Sequence, residues 1–108
     1  MTSTRKPIYS IHEDDLTLQG SVNEFVIGLA GWVDALQDVH SGRDFSRLGT
    51  LCGELAEAAA RLGYPRLAGV ARRAVEACLV SKAEASEEAL VEMAELAQCI
   101  RQAHRGAA

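Results

Sequence analysis

The stretch LGTLCGELAEAAARLGYP, residues 48–65, decides how this chain is read. Turned at 3.6 residues per turn, Leu48, Leu51, Cys52, Leu55, Ala59 and Leu62 fall on one side as an apolar stripe. Asp44 stands where an N-cap belongs and Gly63 where a left-handed C-terminal cap belongs, so the stretch predicts a helix over 44–62. Pro65 then opens a further helix in its first turn, where the missing N–H does no harm. Two glycines, Gly49 and Gly53, lie inside the 44–62 helix, each costing about 1 kcal/mol relative to alanine. On the helical wheel Gly53 lies almost opposite the stripe, flanked by Gly49 and Ala60, with Ala56 and Glu57 at the edges. The outward face is therefore predicted to be bare, and small residues four apart let another backbone approach closely.

Upstream, over 14–40, Leu16, Leu18, Val22, Phe25, Val26, Leu29, Trp32, Val33 and Leu36 recur mostly at three- and four-residue steps. This is a helical stripe, and Gly28 and Gly31 inside it predict a kink or a split into two helices. His40-Ser41-Gly42-Arg43 reads as a turn. Downstream, Leu67, Val70, Ala71, Ala74, Val75 and Cys78 form a third stripe. The polar run 81–86 interrupts it, with Ser81 or Ser86 as the cap of the next helix. That last helix turns Leu90, Met93, Leu96, Ala97 and Ile100 inward and ends near Arg105-Gly106. Short connections favour antiparallel neighbours. The expected fold is an all-α, up-down antiparallel four-helix bundle with a kinked or split N-terminal helix. It forms one domain over 1–108, of which 1–12 is extended or flexible.

Composition agrees with packed helices: 48% of the 108 residues are hydrophobic but only 5% aromatic, which gives an aliphatic, alanine-rich core. A net charge of -4 argues against a nucleic-acid partner, which would call for a basic face. No run reaches the length of a membrane span, and the first fifteen residues hold no apolar stretch suited to a signal peptide. The three cysteines are an odd count without a CxxC pair, which reads as reduced thiols in a cytoplasmic protein. Cys52 points inward, whereas Cys99 lies off its stripe and is the thiol expected to be most accessible. His12, His40 and His104 read as surface histidines without a role. His12 adjoins Glu13, Asp14 and Asp15, but adjacent residues rarely converge on one ion, so no metal is expected. Nor does the chain show a Ser/His/Asp constellation, a phosphate loop or paired carboxylates, and neither enzymatic activity nor a cofactor is expected.

Nearly the whole chain resembles the histidine-containing phosphotransfer (HPt) domains, helical bundles that pass a phosphoryl group between receiver aspartates in two-component phosphorelays. PIYSIHEDDLTLQGSVNEFVIGL is similar to the N-terminal part of one subgroup, with its Pro-Ile-Tyr-Ser start and Phe-Val-containing helix. SGRDFSRLGTLCGELAEAAARLGYPRLAGVARRAVEA is similar to the central hairpin of the family. There the family has a Gly-Asp-aromatic turn, a helix bearing Leu-Ala-His-x-Leu-Lys-Gly, and then Gly-aromatic-Pro. Asp44 and Phe45 match the first turn, while Gly63, Tyr64 and Pro65 match the second, with no gap between them.

That register puts Gly53 at the phosphoacceptor histidine position, Ala56 at the lysine and Glu57 at the glycine after it. Phosphoryl transfer through an imidazole needs a nucleophile that glycine lacks. Glu57 adds negative charge one turn from where phosphate would sit. The resemblance therefore implies a phosphorelay module that docks a response-regulator receiver domain, or a histidine kinase, without carrying phosphate. Its docking face would be Gly49, Gly53, Ala56, Glu57, Ala60 and Arg61. The alternative is a structural or assembly role, in which the small-residue face of the 44–62 helix packs as a homodimer or adaptor.

Overall fold

The computed structural model describes residues 8–12 and 14–107, with side chains as far as residue 104. Four helices succeed one another: α1 (Gln19–Ser41), α2 (Phe45–Arg61), α3 (Pro65–Leu79) and α4 (Ala83–Ala107). Loops of three residues, 42–44, 62–64 and 80–82, join them, and the described residues include no strand. α1 packs on α2 and α4, and α3 packs on the same two, so the helices close a ring around one core. The protein is a four-helix bundle. At its centre Leu29, Leu36, Leu48, Leu55, Leu67, Met93 and Ile100 are each buried below 2% exposure. Burying a side chain of this size contributes about 1.5–3 kcal/mol, so the aliphatic stripes hold the fold. Ala59, Ala71 and Ala74 are completely buried and keep the helices close.

α1 begins later than its periodicity suggests. Asp15 Oδ1 accepts hydrogen bonds from the Thr17 N–H and hydroxyl, and the Asp15 and Leu18 amides close tight turns, so 14–18 stay outside the helix. Leu16 is accordingly 79% exposed and belongs to no stripe. Neither does α1 split at its glycines: it is one helix of 23 residues that includes Gly28 and Gly31. Both glycines face open space, so they lower helix propensity without interrupting the hydrogen-bond ladder. Phe25, Val26, Leu29 and Leu36, buried on the other side, hold the helix together.

The hairpin turns agree closely with the sequence. Asp44 Oδ1 accepts the Arg47 N–H at 3.0 Å, which caps α2. Gly63 has φ +90°, and Pro65 opens α3. Tyr64 is buried and stacks on Phe25 with ring centroids 5.8 Å apart. Gly63 is needed twice over, because an added Cβ would overlap Ser10 Oγ and come within 2.9 Å of His12 Cδ2. The crowding comes from residues 8–12, a strap that ends in a turn at Ile11 and His12. The Ser10 hydroxyl donates to the Leu62 carbonyl, the Ile11 N–H to the Gly63 carbonyl at 2.9 Å, and the Ile8 N–H to the Cys99 carbonyl at 3.1 Å. Residues 1–7, the rest of the stretch read as extended or flexible, lie outside the described residues.

Two further expectations need correction. Neither serine immediately precedes α4, whose first residue comes directly after Lys82. Ser81 takes a left-handed φ of 52° in the loop. Ser86 lies one turn inside the helix, fully buried, and its hydroxyl donates to the Ala83 carbonyl at 2.9 Å. Cys99 is not accessible either: only 7% of it is exposed, because the strap lies over that side of α4. α4 ends at Ala107, beside the expected Arg105-Gly106.

Candidate functional site

Gly53 is the ninth of the 17 residues of α2, and beyond its chain neighbours and the adjoining helical backbone nothing lies within 4 Å of where its Cβ would stand. Around it on the outer side, Thr50, Glu54, Glu57, Ala60 and Arg61 are exposed. The Thr50 hydroxyl donates to the Ser46 carbonyl at 3.1 Å and so stays close to its own helix. Of the six residues named from sequence, Gly53, Glu57, Ala60 and Arg61 share this accessible face.

Gly49 and Ala56 do not. A Cβ on Gly49 would lie 3.4 Å from Cys78 Cβ, which places this glycine at the seam between α2 and α3. Ala56, one heptad further on, is buried to 3% exposure. The wheel centred on the leucines misplaced both because α2 packs most extensively on α3. The buried arc therefore extends from the leucines toward the small residues. Thr50 and Glu54, polar residues opposite Leu48 and Cys52, also belong to the outer face, outside the small-residue pattern that marks it in the sequence. The face is thus less bare than expected, and it carries two carboxylates and a guanidinium beside an open backbone.

No side chain at the centre of this face can act as a nucleophile. Cys52, next to Gly53, is fully buried; burial, with a smaller push from Cys78, raises its thiol to about 12. That is the wrong direction for reactivity. Burial raises the Cys78 thiol as well. His40 sits at the end of α1 with its ring edge-on to Phe45, centroids 6.1 Å apart, and Nε2 3.4 Å from the Ala83 carbonyl. His12 and His104, half-buried, share a groove of about 630 Å³ with Tyr9, Asp14, Asn23 and Tyr64, between the strap, the start of α1 and the end of α4. Nothing in the sequence announces that groove, because the docking of the strap brings together residues from opposite ends of the chain. Among the described residues no three His, Cys, Asp or Glu side chains could hold a metal ion; Glu13, part of the run beside His12, lies outside them. None of the described helices is long and apolar enough to cross a membrane.

Fold and site together define a small helical bundle whose second helix presents an open, nucleophile-free centre to solvent. No family model, curated protein or solved structure matches the chain.

Proposed function

We propose that this protein is a phosphorelay module of the HPt type that docks receiver domains through the outer face of α2 and carries no phosphate. The observation that carries the reading is the outward, unobstructed position of Gly53 at the middle of α2, between the turns at Asp44-Phe45 and Gly63-Tyr64-Pro65. At that place in the resemblance an imidazole would act, and here there is only backbone. Docking needs shape and charge rather than a nucleophile, and Glu54, Glu57 and Arg61 beside Gly53 provide charge. Such a module would sequester a receiver or compete with a phosphate-carrying partner for it. The homodimer reading is less favoured, because with Gly49 and Ala56 turned toward α3 only Gly53 and Ala60 remain as small outward residues.

Titration of purified receiver domains from the source organism against the protein tests the docking. Saturable binding that Gly53→Leu weakens supports it; absence of binding to every receiver, with relay flux unchanged on adding the protein, rejects it. Restoration adds a second readout: Gly53→His, alone and with Glu57→Gly and Ala56→Lys, is expected to gain acid-labile phosphate from phosphorylated receivers, whereas the wild type gains none.

A further inference from the structure

We propose that this protein also associates head to tail with a second copy of itself, the outer face of α1 on one copy docking against the outer face of α3 on the next. The outer faces of α1 and α3 differ in charge. Over its 23 residues α1 contains no Lys or Arg, and its exposed face carries Glu24, Asp34 and Asp38 around an Ile27 that is 68% exposed. The exposed face of α3 carries Arg66, Arg72 and Arg73 with a single carboxylate, Glu76, and ends in Leu79, 80% exposed, with Lys82 just beyond it. Arg73 is engaged by Glu92 at 2.7 Å, while Arg66, Arg72 and Lys82 have no ion-pair partner among the described residues. α1 and α3 do not pack on each other, so both faces are open at once.

The spacings of the two faces correspond. At a rise of about 1.5 Å per residue, antiparallel helices with Ile27 opposite Leu79 bring Asp34 opposite Arg72. Asp38 then falls opposite Ala68, about 3 Å along the axis from Arg66 and within reach of its long side chain. The outward glycines of α1, Gly28 and Gly31, have open space where a Cβ would be and leave room for the arriving helix. Charge decides the partner. Two α1 faces would oppose carboxylate to carboxylate, whereas α1 on α3 sets Asp34 and Asp38 against Arg72 and Arg66, with Glu76 the one like charge on the α3 face. A contact between two different faces is heterologous, so it propagates into chains or closes into rings rather than stopping at a dimer.

Sedimentation of the full chain tests this. At about 20 mM salt the mean mass should rise with concentration beyond that of a dimer, and at about 0.5 M salt, where screening is much stronger, it should return to the monomer. Asp34→Arg and Arg72→Asp should each remove self-association with helix content unchanged. An equimolar mixture of the two should associate again by alternation, since every contact between unlike variants then brings opposite charges together at 34 and 72. The double variant Asp34→Arg/Arg72→Asp should associate again, and Gly53→Leu on α2 should leave the association of the wild type unaffected. A wild type that stays monomeric at low salt would overturn the proposal, as would a dimer indifferent to both charge reversals or a mixture that forms nothing. Receiver docking through α2 stands or falls apart from these outcomes.

Discussion

Replacing Gly53 with alanine should stabilise this protein, and the size of the gain is set by its surroundings. The residue lies at the middle of α2 with nothing beyond its chain neighbours and the adjoining helical backbone within 4 Å of the added methyl, and its φ is not positive. Nothing has to move to admit the side chain. The glycine, by contrast, loses more backbone freedom on folding than any other residue would. The expected gain is about 1 kcal/mol, much of it through a less disordered unfolded chain. For a domain of this size that raises the melting temperature by about 4–8 °C. With a denaturant slope of about 1–3 kcal/mol per molar, the urea midpoint moves up by roughly 0.3–1 M. Helical circular dichroism monitored through thermal and urea melts reads both quantities. Gly49→Ala provides the internal control: its methyl would touch Cys78 Cβ at 3.4 Å, so its gain should be smaller. If Gly53→Ala melts below the wild type, or if Gly49→Ala gains as much, the outward placement of Gly53 is refuted.

Gly63→Ala should act in the opposite direction, costing about 2 kcal/mol or more through its left-handed φ and its collision with the strap, and hydrogen exchange of the Ile11 amide should accelerate more than that of core amides. Asp44→Ala removes the cap on the Arg47 amide and should cost about 1 kcal/mol in the same melts. Alkali should destabilise the protein in a defined window. The Cys52 thiol titrates higher in the folded state than its ordinary 9.0, near 12, so the folded chain holds a proton that the unfolded chain has released. Stability is then fully present below about pH 9 and falls as pH rises toward about 12, at up to about 1.4 kcal/mol per pH unit for this thiol. Urea melts at stepped pH should show that slope, and Cys52→Ala should flatten it whatever its effect on the neutral-pH midpoint.

The sequence carried the fold well wherever a local rule governed it. Asp44, Gly63 and Pro65 act through their own backbone geometry, and each stands at the cap, left-handed turn or first helical position that its chemistry predicts. The stripes of α3 and α4 were legible because a single hydrophobic period sets them. Failures came where a distant element intervened. Cys99 reads as an edge residue on its own helix but is buried, with the Ile8 amide bonded to its carbonyl, and residues 8–12 are held by two backbone bonds and the Ser10 hydroxyl, which no hydrophobic period announces. Ala56 and Gly49 look outward on a wheel and turn inward because α3 lies close beside them. α1 illustrates a third case. Glycines weigh against a helix locally, but tertiary burial of Phe25, Val26, Leu29 and Leu36 overrides them.

On the proposed HPt reading, the departures at 53, 56 and 57 of α2 are coupled rather than independent, which bears on what restoration can achieve. A lysine at 56 would start from a position only 3% exposed, so Ala56→Lys would have to lead its ammonium out past α3 or push that helix away. The close seam that small residues allow at Gly49 and Ala56 therefore leaves poor room for the very side chain that would offset phosphate charge. Glu57 compounds the deficit. It lies four residues from Gly53, a spacing that puts side chains about 6 Å apart on a helix surface, where two unit charges repel by about 0.7–3 kcal/mol between water-like and near-surface screening. A phosphorylated imidazole at 53 would carry more than one negative charge, so relieving Glu57 should matter more than adding a lysine. Gly53→His/Glu57→Gly should then hold more phosphate than Gly53→His, with Ala56→Lys contributing little beyond a loss of stability. Equal phosphate on the single and double variants would mean that Glu57 does not face the reactive position, and the register that assigns Gly53 to it would fail with it.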